Sequence, residues 1–475
     1  MRNLTLLTDL YELTMMNGYL DCDMADREAV FDLFFRKTEQ LDLALVAGLE
    51  QAIEYIDNLS FDSDDINYLK SLNLFGEKFF ERLKKFKFSG DIYGMKEGEI
   101  AFPNEPILTI KAPLFEAQLI ETALLNIINH QTLIATKTMK ITQESEGAVA
   151  EFGLRRAQGP DAGIYGSRAS IIGGCTSTSN VMAGKLFGVP VSGTHAHSWV
   201  MSFSSELEAF RAYASIYPQK CLLLVDTYDT LKSGIPNAIT VFKELRAKGF
   251  EPIGIRIDSG DLAYLTKESR KMLDSEGFKG VKIFASGDID EDIINSLKGQ
   301  QAKIDSWGIG TKLITGYPMS ALGGVYKMAG IEENKVFEPK MKISDTDAKI
   351  TNPGFKSVYR IYDEDGMAAA DLIALRDEKF DTKSPLTIFH PVETWKKKTF
   401  TKYSMRDLTI PIYLSGEKVY KIPPLSDTVM YAKKCRDEFW EEYRRLVNPH
   451  VYKVDLSDGL YDLKKQLLYQ ARLNN

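Results

Sequence analysis

The sequence predicts a mixed α/β fold whose central segment is a parallel βα array, and three features of the chain carry that expectation. Between about 148 and 330, short apolar runs recur at intervals of roughly 20 to 40 residues with helical segments between them, the rhythm of a parallel sheet or barrel. Each run passes straight into polar residues or glycine, as strands do where a loop takes over. The flanks have a different texture: helices mixed with antiparallel strand signals up to about 135, and a hairpin followed by amphipathic helices after about 335. A chain of 475 residues is long enough for two or three domains, because single cores stop growing near roughly 250 to 300 residues. The expected division is an α+β module over 1–135, joined by the closing segment 336–475, and a βα domain over 136–335.

In chain order, Thr8 opens a capping-box-like start with Tyr11 and Glu12 downstream, and Leu10, Leu13 and Met16 fall on one side of a helix. The aromatic-rich run 30–36 reads as a strand, and 44–59 reads as a helix. Alternation over 91–112, with turns at Gly98 and Pro103-Asn-Glu-Pro106, predicts antiparallel strands, followed by a helix over 114–129. The central strand runs are 148–152, 188–192, 221–225, 252–257, 281–284 and 304–307. One intervening helix starts at Pro236, places Ala238, Val241, Phe242 and Leu245 at helical spacing and ends at Gly249; another runs over 261–276 to Gly277. Beyond 335, the runs 357–362 and 367–373 flank Asp363-Glu-Asp-Gly366 as a hairpin. The basic run Lys396-Lys-Lys398 reads as a solvated loop, and two amphipathic helices, 425–446 and 458–471, pack on the first module.

Composition bounds the function. Hydrophobic residues at 44% and charged residues at 26% indicate an ordinary globular protein, and a formal charge of −7 argues against a general nucleic-acid binder while leaving room for small anionic substrates. The four cysteines, Cys22, Cys175, Cys221 and Cys435, are far apart and form no Cys-x-x-Cys pair, which favours reduced thiols in the cytoplasm. Thr5 and Thr8 with Asp9 interrupt the N-terminus before a signal-peptide core forms, and no stretch approaches the roughly 20 apolar residues of a membrane span.

The chemistry gathers at the strand ends. His195 and His197 are two of only five histidines, and in extended backbone their imidazoles leave one face. Such a pair serves as nucleophile, base or metal ligand, or simply as hydrogen-bonded surface histidines at a strand end. In a βα barrel the loops at the C-terminal strand ends form the active site, so the polar residues there converge. They are Arg155 and Arg156 after the first strand, the two histidines after the second, and Asp226, Tyr228 and Asp229 after the third. The fourth carries Arg256, Asp258, Ser259 and Asp261, the fifth Ser286, Gly287 and Asp288, and the sixth Gly308, Gly310 and Thr311. Arg256 and Asp258 share a face and suit a polyol phosphate, since arginine forks bind phosphate or carboxylate bidentately. The glycine loops at 285–288 and 307–311 expose backbone N–H groups suited to a phosphate.

Five motifs in this order, Glu151-Phe-Gly-Leu-Arg-Arg-Ala-Gln-Gly-Pro-Asp161, Gly193-Thr-His-Ala-His-Ser-Trp199, Asp226-Thr-Tyr-Asp229, Gly254-Ile-Arg-Ile-Asp-Ser-Gly-Asp261 and Gly308-Ile-Gly-Thr311, closely resemble the nicotinate phosphoribosyltransferase family. The resemblance runs from Thr8 to at least Gly324. It implies an irregular, TIM-like βα barrel and an α/β sandwich domain built from both chain ends. The implied reaction joins nicotinate to 5-phosphoribosyl 1-diphosphate, giving nicotinate mononucleotide and diphosphate in NAD biosynthesis, coupled to ATP hydrolysis.

Carried over by motif, the resemblance implies that ATP phosphorylates His197 and that His195 supports it. Phe152 stacks on the pyridine ring, and Tyr11 reaches that ring from the neighbouring subunit of a homodimer with shared sites. Arg155 and Arg256 meet the nicotinate carboxylate or substrate phosphates, and Thr178 and Ser179 contribute hydroxyls. Asp226, Asp258 and Asp288, with Ser259 beside them, serve ribose and Mg²⁺, the ion held mainly through substrate phosphates. Gly287, Gly308, Gly310 and Thr311 cradle the 5-phosphate. The chemistry agrees: cleaving the bond from ribose C1 to diphosphate builds positive charge on the sugar, which fixed carboxylates and a neutralised leaving group stabilise. Pairing of the nicotinate carboxylate with an arginine makes nicotinamide a poor substrate. The competing expectation is a barrel metallohydrolase using His195 and His197, weakened because no His-x-x-x-His or Glu-x-x-His helix supplies further ligands.

Overall fold

Five of the six predicted central runs become strands of one parallel sheet in the structure, a computed structural model that describes residues 3–344, 346 and 349–473. The chain divides into two compact units, Ile134–Ser320 and the combination of Met1–Leu133 with Ala321–Asn475. In the first of these the strand order is Ser177–Thr178, Ala148–Glu151, Ser306–Ile309, Lys282–Gly287, Gly254–Ile257 and Leu222–Leu224, with every pairing parallel. The sheet is a curled half-barrel, and among the described residues its two edge strands do not pair with each other.

The run 188–192 is the exception, and it is the one the histidines follow. Its place in the sheet is taken by Ser177–Thr178, and only Val191 touches the ladder, through a single parallel bridge to Thr178. Two local features explain the difference. Asn180 caps the helix Val181–Phe187 through the Ala183 N–H at 3.2 Å, so the chain coils until Gly188. Pro190 then removes a donor from what would be the strand centre.

Alternation along the remaining strands separates core from site. Leu223, Val225, Ile255, Ile257 and Ile283 are fully buried against Ala238, Val241, Phe242 and Leu245 of the helix Ile235–Ala247 and against Leu273 of the helix Leu262–Ser275. The intervening Arg256 is turned to the other face of its strand. Asp261 caps the second helix through the Tyr264 N–H at 3.0 Å.

The other unit contains a seven-stranded antiparallel sheet, in the order Val336–Pro339, Gly324–Glu333, Glu28–Phe35, Leu108–Pro113, Asp91–Gly94, Ile410–Leu414 and Glu417–Lys418. A six-stranded mixed sheet runs Lys397–Phe400, Leu386–Phe389, Val454–Leu456, Ala368–Leu375, Lys356–Tyr362 and Ser404–Asp407. The expected hairpin is present in the second, with Ser357 opposite Ala374. Arg360 is wholly buried there and is held by Asp371 and Glu99 at 2.7 and 2.6 Å.

Several element boundaries differ from the sequence reading. The segment 44–59 splits into the short strand Ala44–Leu45, paired with Ile100–Ala101, and the helix Leu49–Asp57. The first helix runs Leu10–Asp21, with Asp9 at its N-cap position, and Thr8 donates its hydroxyl to Glu12. The helix expected at 114–129 is a short turn of helix, Leu114–Leu119, followed by Glu121–Glu144. The helix expected at 425–446 breaks into Leu425–Asp437 and Glu441–Arg444, with Phe439 buried between them. Lys397 and Lys398 lie in an edge strand and are solvent-exposed, where lysine also opposes pairing with another sheet.

Candidate active site

His195 and His197 do not share an extended face. Ala196 is the N-cap residue of the short helix His197–Met201, so the backbone turns between the two imidazoles. His195 is buried, and its Nε2 accepts the Leu224 backbone N–H at 3.2 Å while Nδ1 lies 3.5 Å from the Ala196 carbonyl. Burial pushes its pKa down to about 4, with the charges of Arg256 and His197 adding to the effect. The ring is neutral at ordinary pH, and because Nε2 is an acceptor the proton sits on Nδ1. Tyr213 meets it edge-on at 4.7 Å. His197 is only half-buried; its Nδ1 is 3.1 Å from the Thr227 hydroxyl, and its Nε2 has no partner among the described residues. These two environments remove the metallohydrolase pair, because the Nε2 lone pair of His195 is engaged by a backbone amide. Among the described residues no three His, Cys, Asp or Glu side chains group as a metal cage.

Beside the histidines lies a tightly cross-linked set of polar groups. Arg256 Nη1 donates to Asp258 Oδ1 and to Ser286 Oγ, each at 3.3 Å, and Nη2 donates to the His195 carbonyl at 3.0 Å. The Ser286 hydroxyl also donates to Asp258. Asp226 Oδ2 accepts the Asp258 N–H at 2.9 Å and the Ser259 hydroxyl at 2.7 Å. Two atoms of this set, Asp226 Oδ1 and Arg256 Nε, are buried without a protein partner. In a folded protein such groups are ordinarily satisfied, so both mark a place where a ligand or water completes the network. Burial lowers the Arg256 pKa, opposed by Asp258 and Asp226.

The glycines at the neighbouring strand ends have steric reasons. Gly287 has φ +124°, and a Cβ there would lie 2.7 Å from the Asp258 carbonyl oxygen. A Cβ on Gly308 would lie 2.6 and 2.7 Å from two ring carbons of Phe152, so the Phe152 ring rests directly on that glycine. The Phe152 N–H donates to the Ile309 carbonyl at 2.8 Å, which ties the backbone carrying the ring to the sheet. Gly310 and Thr311 follow, leading the helix Thr311–Ile314. Arg155 stands exposed in the turn Leu154–Arg156, and Asp288 is exposed.

Not every residue singled out in the sequence faces outward. The Thr178 hydroxyl is fully buried and donates to Glu151 Oε2 at 2.5 Å, where the Ser167 hydroxyl also arrives at 2.8 Å. Thr178 therefore braces the first strand end, while Ser179 beside it remains half-buried, with its N–H on the Glu151 carbonyl at 2.8 Å. Tyr11 belongs to the other unit, half-exposed on the helix Leu10–Asp21, where burial and the carboxylates Glu121, Glu12 and Asp9 raise its pKa. Sequence reasoning gave no role to Glu151, Thr227 or the partly buried ion pair of Lys312 with Asp290 at 2.6 Å. Thr227 lies inside a quoted motif, but its partner His197 is 30 positions earlier, a pairing no spacing rule reveals.

This geometry can be compared with known proteins. Three family models match in succession: the nicotinate phosphoribosyltransferase N-terminal domain over 6–129, the family itself over 148–364 and the C-terminal domain over 355–464. The chain belongs to the nicotinate phosphoribosyltransferase family. It is 47% identical to the Bacillus subtilis nicotinate phosphoribosyltransferase, with 99% of this chain and 96% of that protein covered. The Caenorhabditis elegans nicotinate phosphoribosyltransferase is 36% identical over 98% of this chain and 93% of its own length. The crystal structure of human nicotinic acid phosphoribosyltransferase superposes with a TM-score of 0.86 at 30% identity, covering 97% of this chain and 99% of that one. Both compact units thus fall within the nicotinate phosphoribosyltransferase match, and so do all the strand-end residues described above.

Proposed function

We propose that this chain transfers the 5-phosphoribosyl group of 5-phosphoribosyl 1-diphosphate to nicotinate, releasing diphosphate and forming nicotinate mononucleotide for NAD biosynthesis. The observation that carries the reading is the cross-linked set of Arg256, Asp258, Ser286, Asp226 and Ser259 next to a histidine with an open Nε2. The pyridine nitrogen attacks C1 of the ribose as the bond to diphosphate breaks, and positive charge grows on the sugar ring. Asp258 and Asp226, held rigid by their hydrogen bonds, face that charge without reorganising. Phe152, seated on Gly308, offers a face for the pyridine ring, and Arg256 and Arg155 supply cations for its carboxylate and the phosphates. Gly287, Gly308, Gly310 and Thr311 offer backbone room for the 5-phosphate. Asp288 and Ser179 complete the ring of polar contacts.

ATP use follows from His197. Its Nε2 lone pair attacks the terminal phosphorus of ATP and ADP leaves, giving a phosphohistidine that water later hydrolyses; the Thr227 hydroxyl on Nδ1 orients the ring. Mg²⁺ fits the hard carboxylate donors, with unpartnered Asp226 Oδ1 and exposed Asp288 the residues to hold it alongside substrate phosphates. When bound, it neutralises the leaving diphosphate. The same reading treats the curled sheet as an irregular barrel, the two sheets of the other unit as a sandwich, and the working enzyme as a cytoplasmic homodimer in which Tyr11 serves the neighbouring site. The four free cysteines support a reducing compartment. Among the described residues no helix is long and apolar enough to cross a membrane.

The test is nucleotide formation with and without ATP, using nicotinate, nicotinamide and quinolinate at matched concentrations. Nicotinate is expected to be preferred, and His197→Ala to abolish the ATP-dependent gain while slow ATP-independent transfer persists. A preference for nicotinamide, or full ATP stimulation and phosphate uptake in His197→Ala, overturns the reading.

A further inference from the structure

The half-barrel leaves two strand edges that do not pair with each other, both largely buried, and the histidine segment lies against both. On one edge, the Thr178 N–H donates to the Pro190 carbonyl and the Ser192 N–H donates to the Thr178 carbonyl, each at 3.0 Å, while the Ser177 and Ser192 hydroxyls meet at 2.6 Å. On the other, the outward N–H of Leu224, in the edge strand Leu222–Leu224, has His195 Nε2 as its acceptor at 3.2 Å. An edge strand presents unpaired backbone donors, and a buried one needs a partner. A side chain here does what a seventh strand would do. The chain between the edges is short, so whatever fixes His195 also fixes what it carries. Its own carbonyl holds Arg256 Nη2 at 3.0 Å, and two residues later His197 meets Thr227, in the loop that leaves the same edge strand.

We propose that His195 is a positioning residue: its imidazole splices the open seam of the sheet at Leu224 and so sets both the phosphate-accepting ring of His197 and the carboxylate-binding fork of Arg256. The proposal rests on the reading of His197 and Arg256 given above. Four groups hold the imidazole in this role. The Leu224 N–H requires an unprotonated Nε2, Tyr213 packs edge-on at 4.7 Å, Phe210 lies 6.2 Å away, and the Ala196 carbonyl faces Nδ1. The low pKa that burial imposes keeps the ring neutral through the physiological range. The catalytic contacts belong to its neighbours; His195 acts through them.

The experiment compares His195→Gln, whose amide oxygen reaches about as far as Nε2, with His195→Leu, which has similar bulk and no acceptor. Acid-labile phosphate taken from labelled ATP, KM for nicotinate and kcat are measured on the full chain. Loss of an acceptor under a buried amide predicts on the order of tenfold or more less phosphate uptake and a comparable rise in KM for nicotinate in His195→Leu, with both largely restored in His195→Gln. Equal losses in the two variants, or wild-type behaviour of His195→Leu, overturn the proposal. Because the leucine variant risks misfolding, nitrogen NMR of histidine-labelled wild-type protein at neutral pH gives a second reading: His195 is expected as the neutral Nδ1–H form, and the Nε2–H form or imidazolium overturns it. If wild-type protein takes up no phosphate, the phosphohistidine reading fails, and the nicotinate KM contrast still decides the part of the proposal that concerns Arg256.

Discussion

Gly308→Ala is the sharpest probe of the site, because it adds one methyl group at a known distance from one ring. The new Cβ would lie 2.6 and 2.7 Å from Phe152 Cε2 and Cδ2, against roughly 3.5 to 4.0 Å for ordinary carbon contacts. The ring therefore has to move by about 1 Å. The backbone does not absorb that shift easily, since the Phe152 N–H is tied to the Ile309 carbonyl at 2.8 Å and Gly308 lies within the strand Ser306–Ile309. Gly308 has no positive φ, so the backbone itself accepts alanine and the whole effect comes from the clash. Overpacking of this kind costs about 1–3 kcal/mol, and a misplacement of about 1 Å at a reacting centre lowers rates by as much as 10²-fold. The expected result is a KM for nicotinate raised at least about tenfold with a smaller change in KM for the diphosphate donor, and a thermal midpoint lower by a few degrees. A variant with unchanged KM for nicotinate would refute the placement of the pyridine on Phe152, whatever its stability.

Three further outcomes follow from contacts elsewhere. Arg256→Lys replaces a fork that spans Asp258, Ser286 and the His195 carbonyl with a point charge, so discrimination of nicotinate against nicotinamide should fall by about tenfold; unchanged discrimination would assign the carboxylate to Arg155. Lys356→Met strands Asp32, since the pair is 1% and 4% exposed at 2.7 Å, and urea unfolding should show a loss of about 3–5 kcal/mol, whereas a loss below about 1 kcal/mol would make the pair dispensable. The third concerns pH. The folded-state pKa of His195, about 4, lies below its ordinary value of 6.5, so the unfolded chain binds more protons between those values and stability is lost as pH falls from about 6.5 towards 4. Denaturation at pH 5 and pH 7.5 should show a smaller acid loss in His195→Gln than in wild type; identical losses would mean that another group sets the acid limb.

The repeated apolar runs and their helices were legible from residue order alone, because alternation and helical spacing are local patterns that the chain carries wherever it folds. The helix from Pro236 and the turn at Asp363-Glu-Asp-Gly366 are examples, and both are present at the expected places. Most of the motif residues of the site were legible for the same reason, since Arg256, Ser286, Gly287 and Gly308 lie in the last residues of their strands and Asp226, Asp258 and Gly310 just beyond theirs. What the sequence could not decide is which groups meet across the sheet. The strand expected at 188–192 was lost to a helix cap at Asn180 and a missing donor at Pro190, and its place went to Ser177–Thr178, a two-residue strand too short to register as a pattern. That exchange separated two histidines expected to leave one face of a strand: one imidazole is buried under a backbone amide of an edge strand, and the other stays half-exposed with a nitrogen free. Thr178, expected to face substrate, was drawn inward by the buried carboxylate of Glu151. Sequence by itself determined the family, the parallel βα rhythm and the pool of polar residues at the strand ends. Only the tertiary structure decided the surroundings of each one, because burial and hydrogen-bond partners are set by segments far apart in the chain, and those two quantities govern whether a side chain is free to react.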